Sequence, residues 1–523
     1  MHTEKENIHS FLIELQTKNA ILKRENDSQQ EKIKHYESEN AKLQQMLIDF
    51  KRHRFGNKSE RWESGEQQRF VFNEAEIEAK KPELEQDSSA SLAETITIKA
   101  HTKSRGHRKP LPTDIPRRVI EITLPADEQF DKDGTPLKAI GKEISEKLVY
   151  EPAKLEVLEY HRTVYGAACG DYVKTAPPLP CIIPKGIVTS ELLAHIITSK
   201  YADGLPLYRQ EDIFERLNVN LLRSTMGRWI VQAAEACMPI RNVLSDRLLA
   251  SSYVSCDETP VQVLKEKNRK PESRSWMWVM GVPYGENRIV LFDYDASRSG
   301  AVVERLFADY EGTVQTDGYA GYNVLSANKK ITQIGCNMHG RRYFEQAFKM
   351  GAQSGSSLAE VALRYYQRLY AIEEHIRKKP PEERGQWRQQ QARPIWMEFK
   401  RWAEENSQKV PPKSKLGVAF HYFLSQNDRL QGYLNDGKLE MDNGFIERAI
   451  RKFAIGRNNW LFADTTAGAD ASALFYSLLI TAKINGVNPY EALKQIFNEL
   501  PTAKSIADFE RIADIILPLP SPH

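Results

Sequence analysis

The sequence has few cysteines, little net charge and no long apolar run. Its five cysteines are scattered through 523 residues, and an odd, dispersed set fits free thiols in a reducing compartment better than a disulfide scaffold. No apolar run approaches the length of a transmembrane helix, and the N-terminus has no signal-peptide pattern. These absences predict a soluble intracellular protein without a membrane partner. The formal net charge of +3 favours no particular partner.

The positive charge is concentrated locally. Residues 51–61 (KRHRFGNKSER) and 101–118 (HTKSRGHRKPLPTDIPRR) are strongly basic, whereas residues 72–95 between them are rich in Glu, Ser and Ala and are typical of a flexible linker. Basic clusters are usually solvated surface. Beside a dimerising segment and a candidate DNA-binding helix pair, these two clusters indicate phosphate contacts.

Residues 8–50 carry a heptad pattern without proline or glycine. One seam contains Ile8, Leu15, Leu22, Gln29, Tyr36, Leu43 and Phe50, and the other contains Leu12, Asn19, Asn26, Ile33, Asn40 and Leu47. Asparagine repeated at a core position fixes the register and favours two strands. The alternative, a single amphipathic helix packed on its own domain, is disfavoured because the pattern lasts for about six heptads. We predict a parallel dimeric coiled coil.

A helical region is predicted from about residue 186 to residue 247. Within it, the segment NVN (218–220) separates two helical stretches, and the second begins near Leu222. This arrangement favours a helix-turn-helix, with Arg223 and Arg228, together with Ser224 and Thr225, near the start of the recognition helix. An ordinary helical hairpin explains the pattern equally well, because the motif is weak in a single sequence.

From residue 252 the pattern changes to strands. The segment begins with three consecutive strand-like runs and a helix, and continues with a fourth run ending at Asp317, a fifth run and further helices. Residues 352–435 are helical and polar, with a break at 378–394. This is the order of a ribonuclease-H-like α/β fold. In that fold the first and fourth strands are neighbours, so Asp257 and Asp317 would come together. Clustered carboxylates suit Mg²⁺, which prefers oxygen ligands, although isolated Asp residues at strand ends are usually caps or turn formers.

Four motifs resemble one protein family. SCDETPVQVL (255–264), QTDGYAGYN (315–323), CNMHGRRYFEQA (336–347) and DNGFIERAIRKFAIGRNNWLFA (442–463) resemble transposases of the insertion-sequence-66 type, and the resemblance extends over nearly the whole chain. It implies an enzyme with an Asp-Asp-Glu active site, here Asp257, Asp317 and Glu447. These acids would bind Mg²⁺, for which Mn²⁺ can substitute, and would catalyse strand cleavage and strand transfer of DNA.

The resemblance also implies the partners and the location. The partners would be the terminal repeats of the element, target DNA, a second copy of the chain and small accessory proteins encoded by the same element. The location would be the bacterial cytoplasm, in association with the nucleoid. Two alternatives remain, namely an inactive dimeric DNA-binding protein and a ribonuclease-H-like nuclease without strand transfer.

Two explanations of Glu447 follow from the helix that contains it. Phe445, Ile446, Ala449, Ile450 and Phe453 form one apolar arc, and Glu447 lies at its edge. The simplest explanation of Glu447 is an ion pair with Arg451 one turn away. The family motif instead predicts that the arc packs on the sheet and places Glu447 beside the two aspartates as a metal ligand, with Arg451 as its partner when metal is absent.

Several further residues carry weaker hypotheses. Glu258 follows Asp257 but should face the opposite side of the strand, so it is left out of the site. Cys336 and His339 form a CxxH pair without two further ligands, which favours a structural role near the site. Five arginines are candidate phosphate ligands, although each alone is more typical of surface or ion-pair positions. They are Arg341, Arg342, Arg448, Arg451 and Arg457.

One departure from the family pattern concerns zinc. Related chains carry paired CxxC motifs after the coiled coil, but here DEQFDKDGTPL (127–137) has no cysteine and VYGAACGDY (164–172) offers only Cys169. A closed zinc site needs about four ligands, so we expect a degenerate module that binds no zinc.

The expected organisation is therefore modular. It consists of a coiled coil (1–55), a linker (56–100), a small β module (101–180), a helical DNA-binding region (181–250), the first part of the catalytic core (251–350), a helical insertion (351–435) and the last part of the core (436–523).

Overall fold

The computed structural model describes residues 155–162, 164–166, 173–175, 177–283, 285, 288–351 and 357–517, and six exposed helical positions between residues 18 and 32. Most of the heptad seams, both basic clusters, the linker and Cys169 lie outside the described residues. Residues 58–161 form one compact unit, and residues 1–57 with 162–523 form another. In the first unit the described residues 155–161 are exposed and without regular secondary structure.

The described part of the second unit begins with a small hairpin and three helices. Val164–Gly166 (β1) pairs antiparallel with Val173–Thr175 (β2). The helices are Ser190–Tyr201 (α1), Leu207–Arg216 (α2) and Arg223–Leu249 (α3). The break predicted at 218–220 is observed, and Asn218 there has a φ of 59°, a left-handed conformation that Asn tolerates. Leu222 precedes α3 as its N-cap, so the second helix begins where it was expected.

A mixed sheet follows the helices. Its strands are Tyr253–Lys265 (β3), Arg274–Gly281 (β4), Val290–Asp295 (β5), Gly312–Thr316 (β6) and Ile331–Gly335 (β7), and Gly300–Leu306 (α4) connects β5 to β6. The strand order is β5-β4-β3-β6-β7. The first three strands are antiparallel, whereas β6 is parallel to both β3 and β7. The first and fourth strands of the series are therefore neighbours, as the sequence predicted.

A helical insertion separates the two parts of the sheet domain. It follows Asn337–Gly351 (α5) and contains Leu358–Ile376 (α6), Pro381–Trp387 (α7), Arg393–Ser407 (α8), Lys415–Ser425 (α9) and Asn427–Leu430 (α10). Aromatic side chains from α5, α6, α8 and α9 form its core, including Phe344, Tyr366, Phe399 and Phe423. The break predicted for 378–394 is confined to 377–380, because proline is compatible with the first turn of a helix and α7 continues through a π-helical turn into α8.

The chain then returns to the sheet. Gly444–Trp460 (α11) is followed by Ala463–Thr465 (β8), which pairs with the end of β3, and then by Thr466–Ile484 (α12), Pro489–Glu499 (α13) and Ile506–Ala513 (α14). Buried Ile446, Ala449 and Phe453 join the core formed by the sheet, so the apolar arc is confirmed as the packing face. A Cβ at Gly281 of β4 would lie 2.8 Å from Ile446 Cδ1, which shows how closely α11 approaches.

The outer edge of the sheet is covered by α12. The backbone N–H of Phe292 donates to Ser477 Oγ at 2.8 Å, and that of Val290 donates to Thr481 Oγ1 at 3.1 Å. These hydroxyl groups satisfy edge groups of β5 that would otherwise remain open to another strand. None of the helices in the described residues is both long and apolar enough to cross a bilayer.

Candidate active site

The pairing of β3 with β6 brings two aspartates to one face of the sheet. Ser255 pairs with Gln315 in the parallel register, and Asp257 and Asp317 each follow two residues later. Side chains alternate along a strand, so residues two apart face the same side of the sheet. Asp257 therefore lies on the side of Ser255, and Asp317 on the side of Gln315. Asp257 is buried and accepts the N–H of Glu258 at 2.8 Å. Asp317 Oδ1 accepts the N–H of Tyr319 at 2.9 Å, so Asp317 also closes a turn.

Three side chains from different elements converge beside these strands. Asp257 of β3, His339 in the first turn of α5 and Glu447 in the first turn of α11 each offer a ligand atom, and the three atoms lie within 4.8 Å of one another. Asp317 is not part of that closest group, but its negative charge contributes to raising the pKa of Asp257. The structure thus groups two of the three predicted acids, Asp257 and Glu447, with a histidine, and it places Asp317 near enough for its charge to act on Asp257.

Burial and like charge act together on Asp257. Burial is the largest cause that raises the pKa of its carboxyl group well above the usual value, followed by the negative charges of Glu258, Asp317 and Glu447. A carboxylate in such surroundings is stabilised by a nearby cation. The donor set, which consists of carboxylate oxygens and one imidazole, is compatible with a divalent metal ion.

The surroundings of His339 favour the neutral form of its side chain. Burial, and then the charge of Arg342, lower its pKa. Its Nε2 lies 3.8 Å from Glu447 Oε1, and its buried Nδ1 has no hydrogen-bond partner among the described residues. A neutral imidazole is the form that binds metal. The sequence had favoured a structural role for this histidine. The CxxH spacing after β7 marked this histidine in the sequence. Its role as a member of the group could not be recognised there, because Asp257 and Glu447 lie in distant segments of the chain.

The ion pair of Glu447 differs from the predicted one. Arg342 Nη2 of α5 lies 2.6 Å from Glu447 Oε1, and within the described residues Arg451 forms no such pair with Glu447. The pairing with Arg451 was therefore wrong. Residues one turn apart can pair on an isolated helix, but here the first turns of α5 lie near Glu447 and supply a closer guanidinium.

Glu258 faces away from Asp257. Arg298 Nη2 lies 2.5 Å from Glu258 Oε1, and the hydroxyl of Tyr322 donates to the second carboxylate oxygen. The alternation of side chains along β3 accounts for this separation, as the sequence predicted. Burial raises the pKa of Glu258, while Tyr322 and Arg298 counteract that effect.

The candidate phosphate-binding arginines occupy different environments. Arg448 and Arg451 are exposed on α11, and Arg341 pairs with Glu345 at 3.3 Å. Arg457 instead points inward, because its Nη1 donates to the carbonyl of Pro260 and to Thr259 Oγ1. It therefore fastens α11 to β3, and its position does not favour phosphate binding.

The two arginines of the helix-turn-helix candidate lie near the start of α3. Arg228 is exposed. The backbone N–H of Arg223 donates to Glu211 Oε1 at 3.1 Å, and its Nε lies 3.8 Å from Glu211 Oε2. The second helix is thus tied to α2 at its first residue, which leaves the exposed side of the first turn accessible.

Comparison with known proteins identifies related families and chains. The family model described as "Transposase IS66 family" matches residues 185–471, more than half of the chain, and the model described as "Transposase C of IS166 homeodomain" matches residues 42–120. The first match spans β3 to α11 and includes all the residues that converge on Asp257.

Three curated proteins of Sinorhizobium fredii (strain NBRC 101917 / NGR234) are also similar. The uncharacterized protein y4qI is 30% identical over 90% of this chain and 88% of its own length. The uncharacterized proteins y4hP and y4jD are 28% and 30% identical over 79% and 75% of this chain, each over 78% of its own length. On the extent of these matches, the chain belongs to the IS66 family of transposases.

Proposed function

We propose that this chain is a metal-dependent DNA strand transferase of the Asp-Asp-Glu type. The observation that carries the proposal is the convergence of Asp257, His339 and Glu447 within 4.8 Å, near Asp317, which directly follows the neighbouring strand β6. The strand order, with three antiparallel strands followed by two parallel ones, supports a ribonuclease-H-like core. Such a core presents acids from its central strands and a later helix at one site.

The residues present fit a divalent metal ion. Asp257, Asp317 and Glu447 would supply oxygen ligands, and His339 would supply a neutral nitrogen. When bound, Mg²⁺ or Mn²⁺ would activate the attacking oxygen and stabilise negative charge on the phosphate being transferred. Burial of Asp257 excludes water from its side of the site, and α11 fixes Glu447 because the apolar side of that helix is buried against the sheet.

The remaining cationic residues suit the contacts with DNA. Arg448 and Arg451 are exposed and follow Glu447 on α11, where they would bind the phosphate backbone near the reacting strand. Arg223 and Arg228 would contact the terminal repeat through the start of α3. Pairing of two copies through the heptad segment would hold both ends of the element together, and accessory proteins of the element and a nucleoid location remain predictions of the family resemblance.

The test is an assay of cleavage and strand transfer with the terminal repeats of the element and Mg²⁺. We expect wild-type protein to join the repeat end to target DNA, and Asp257→Asn or Glu447→Gln to reduce joining by at least about a thousandfold, since the metal supplies several kcal/mol of transition-state stabilisation. Glu345→Gln, which alters a carboxylate of α5 paired with Arg341 and Lys349, should leave joining unchanged.

The same assay separates the alternatives. Cleavage without joining would show that the protein is a nuclease. Binding of the repeat without any metal-dependent reaction would show that it is an inactive DNA-binding protein. Retention of joining in Asp257→Asn or Glu447→Gln would overturn the assignment of the site.

A further inference from the structure

Asn443, the residue before α11, connects three separate segments. It is fully buried. Its backbone N–H donates to Cys336 Sγ at 3.2 Å, its side-chain Nδ2 donates to the carbonyl of Cys256 at 3.2 Å, and its carbonyl accepts the N–H of Glu447 at 3.0 Å. One residue thus connects β3, the residue after β7 and the first turn of α11.

Each of these contacts lies next to a residue of the candidate active site. Cys256 directly precedes Asp257 in β3. Cys336 directly precedes α5, whose first turn contains His339. The third contact is made with the backbone of Glu447 itself. The hydrogen bonds of Asn443 therefore end within three residues of every member of the group formed by Asp257, His339 and Glu447.

The sulfur of Cys336 is the second part of this junction. Cys336 is fully buried, and its sulfur accepts backbone N–H groups from both Asn443 and His339. One sulfur atom therefore accepts N–H groups from the start of α5 and from the residue before α11, which explains the cysteine in the CxxH spacing without any metal bound to sulfur.

A neighbouring pair strengthens the same connection. Asn337 donates both its backbone N–H, at 3.2 Å, and its side-chain Nδ2, at 3.1 Å, to the carbonyl of Met441. The segment that leads into α11 is thus bonded at Met441 and at Asn443 to two consecutive residues at the start of α5, Asn337 and Cys336. Buried polar networks of this kind restrict the backbone to one arrangement, because every unpaired group would cost free energy.

We propose that Asn443 and Cys336 are positioning residues that set the separation of His339 and Glu447 from Asp257, and so determine how tightly the site binds a divalent cation. This inference rests on the proposed function, since it requires that the three side chains bind metal. Neither residue touches the cation; both act through the backbone of the ligand-bearing segments. Residues that orient metal ligands commonly change metal affinity by about 10- to 100-fold when they are replaced.

The test measures Mn²⁺ binding to the full chain by electron paramagnetic resonance and titration calorimetry, without DNA. We expect Cys336→Ala to weaken Mn²⁺ binding by about tenfold or more and Cys336→Ser, which keeps an acceptor, to recover most of that loss. Asn443→Ser should weaken binding similarly, because serine suits the N-cap position of α11 but cannot reach the carbonyl of Cys256. This variant keeps the test informative if Cys336→Ala does not fold.

The matched control is Cys237→Ala. Cys237 is also fully buried but lies in α3, so its replacement should lower the melting temperature without changing Mn²⁺ affinity. Wild-type affinity in both folded Cys336→Ala and Asn443→Ser would overturn the inference. Unchanged Mn²⁺ binding in Asp257→Asn and Glu447→Gln would instead overturn the proposed function, so the two failures are distinguishable.

Discussion

Nη2 of Arg342 on α5 lies 2.6 Å from Oε1 of Glu447 on α11. Because Glu447 also belongs to the group with Asp257 and His339, the guanidinium and a bound cation would compete for one carboxylate. About half of the Arg342 side chain is exposed, so the arginine can leave Glu447 and turn to a phosphate without unfolding α5.

This competition predicts the effect of Arg342→Gln. Removal of the positive charge should strengthen Mn²⁺ binding by roughly three- to tenfold, because a monovalent cation near the site repels a divalent one. Titration calorimetry on the metal-free protein measures the change. Arg341→Gln is a close control, since Arg341 is similarly exposed but pairs with Glu345. Unchanged or weaker Mn²⁺ binding in Arg342→Gln would contradict the competition.

The raised pKa of Asp257 predicts an unusual dependence of stability on pH. In the unfolded chain an aspartate loses its proton near pH 4, at about its reference pKa, whereas in the metal-free folded protein it retains the proton to higher pH. Between these two values the folded state binds more protons than the unfolded state. The free energy of unfolding therefore falls as pH rises through this range.

Asp257→Asn removes that penalty. In the absence of metal the variant should melt a few degrees higher than wild type at pH 7 to 8, and the difference should disappear as the pH falls towards 4. Saturating Mn²⁺ should stabilise wild type and have little effect on the variant. Melting curves by differential scanning calorimetry test both statements, and an Asp257→Asn variant less stable than wild type at pH 8 would show that the carboxylate is not destabilising.

The start of α3 leads to a prediction about DNA. Replacement of Arg223 and Arg228 by Gln should weaken binding of the terminal repeat. The slope of the logarithm of the binding constant against the logarithm of salt concentration should become less steep by about one for each phosphate contact that is lost. Fluorescence anisotropy at several salt concentrations measures both quantities. Lys494→Gln on α13, where Lys494 pairs with Glu491, should leave the slope unchanged. A wild-type slope in the double variant would favour an ordinary helical hairpin.

The heptad seams of residues 8–50 predict a dimer. Light scattering should give about twice the mass of one chain, and Leu15→Asp with Leu22→Asp should give a single chain, since charge at apolar seam positions disrupts the pairing of helices. The substitutions lie far in sequence from Asp257, so Mn²⁺ binding should be retained. A monomeric mass for wild-type protein would refute the coiled-coil prediction.

Many of the elements that form the candidate site could be predicted, because they depend on local sequence patterns. The order of strands placed Asp257 of β3 near Asp317, which directly follows the neighbouring β6, and alternation along β3 separated Glu258 from Asp257. The break before α3 was also visible. By contrast, the length of the break between α6 and α7 was overestimated, because a proline in the first turn of a helix looks in sequence like one that ends a helix.

The apolar face of α11, with Glu447 at its edge, could be identified from residue spacing alone. A helix repeats every 3.6 residues, so one-dimensional spacing contains this information. Residue spacing did not reveal that Arg342 rather than Arg451 pairs with Glu447, that His339 joins the acids and that Arg457 points inward. These contacts join helices and strands far apart in the chain, and their partners depend on how the elements pack against one another.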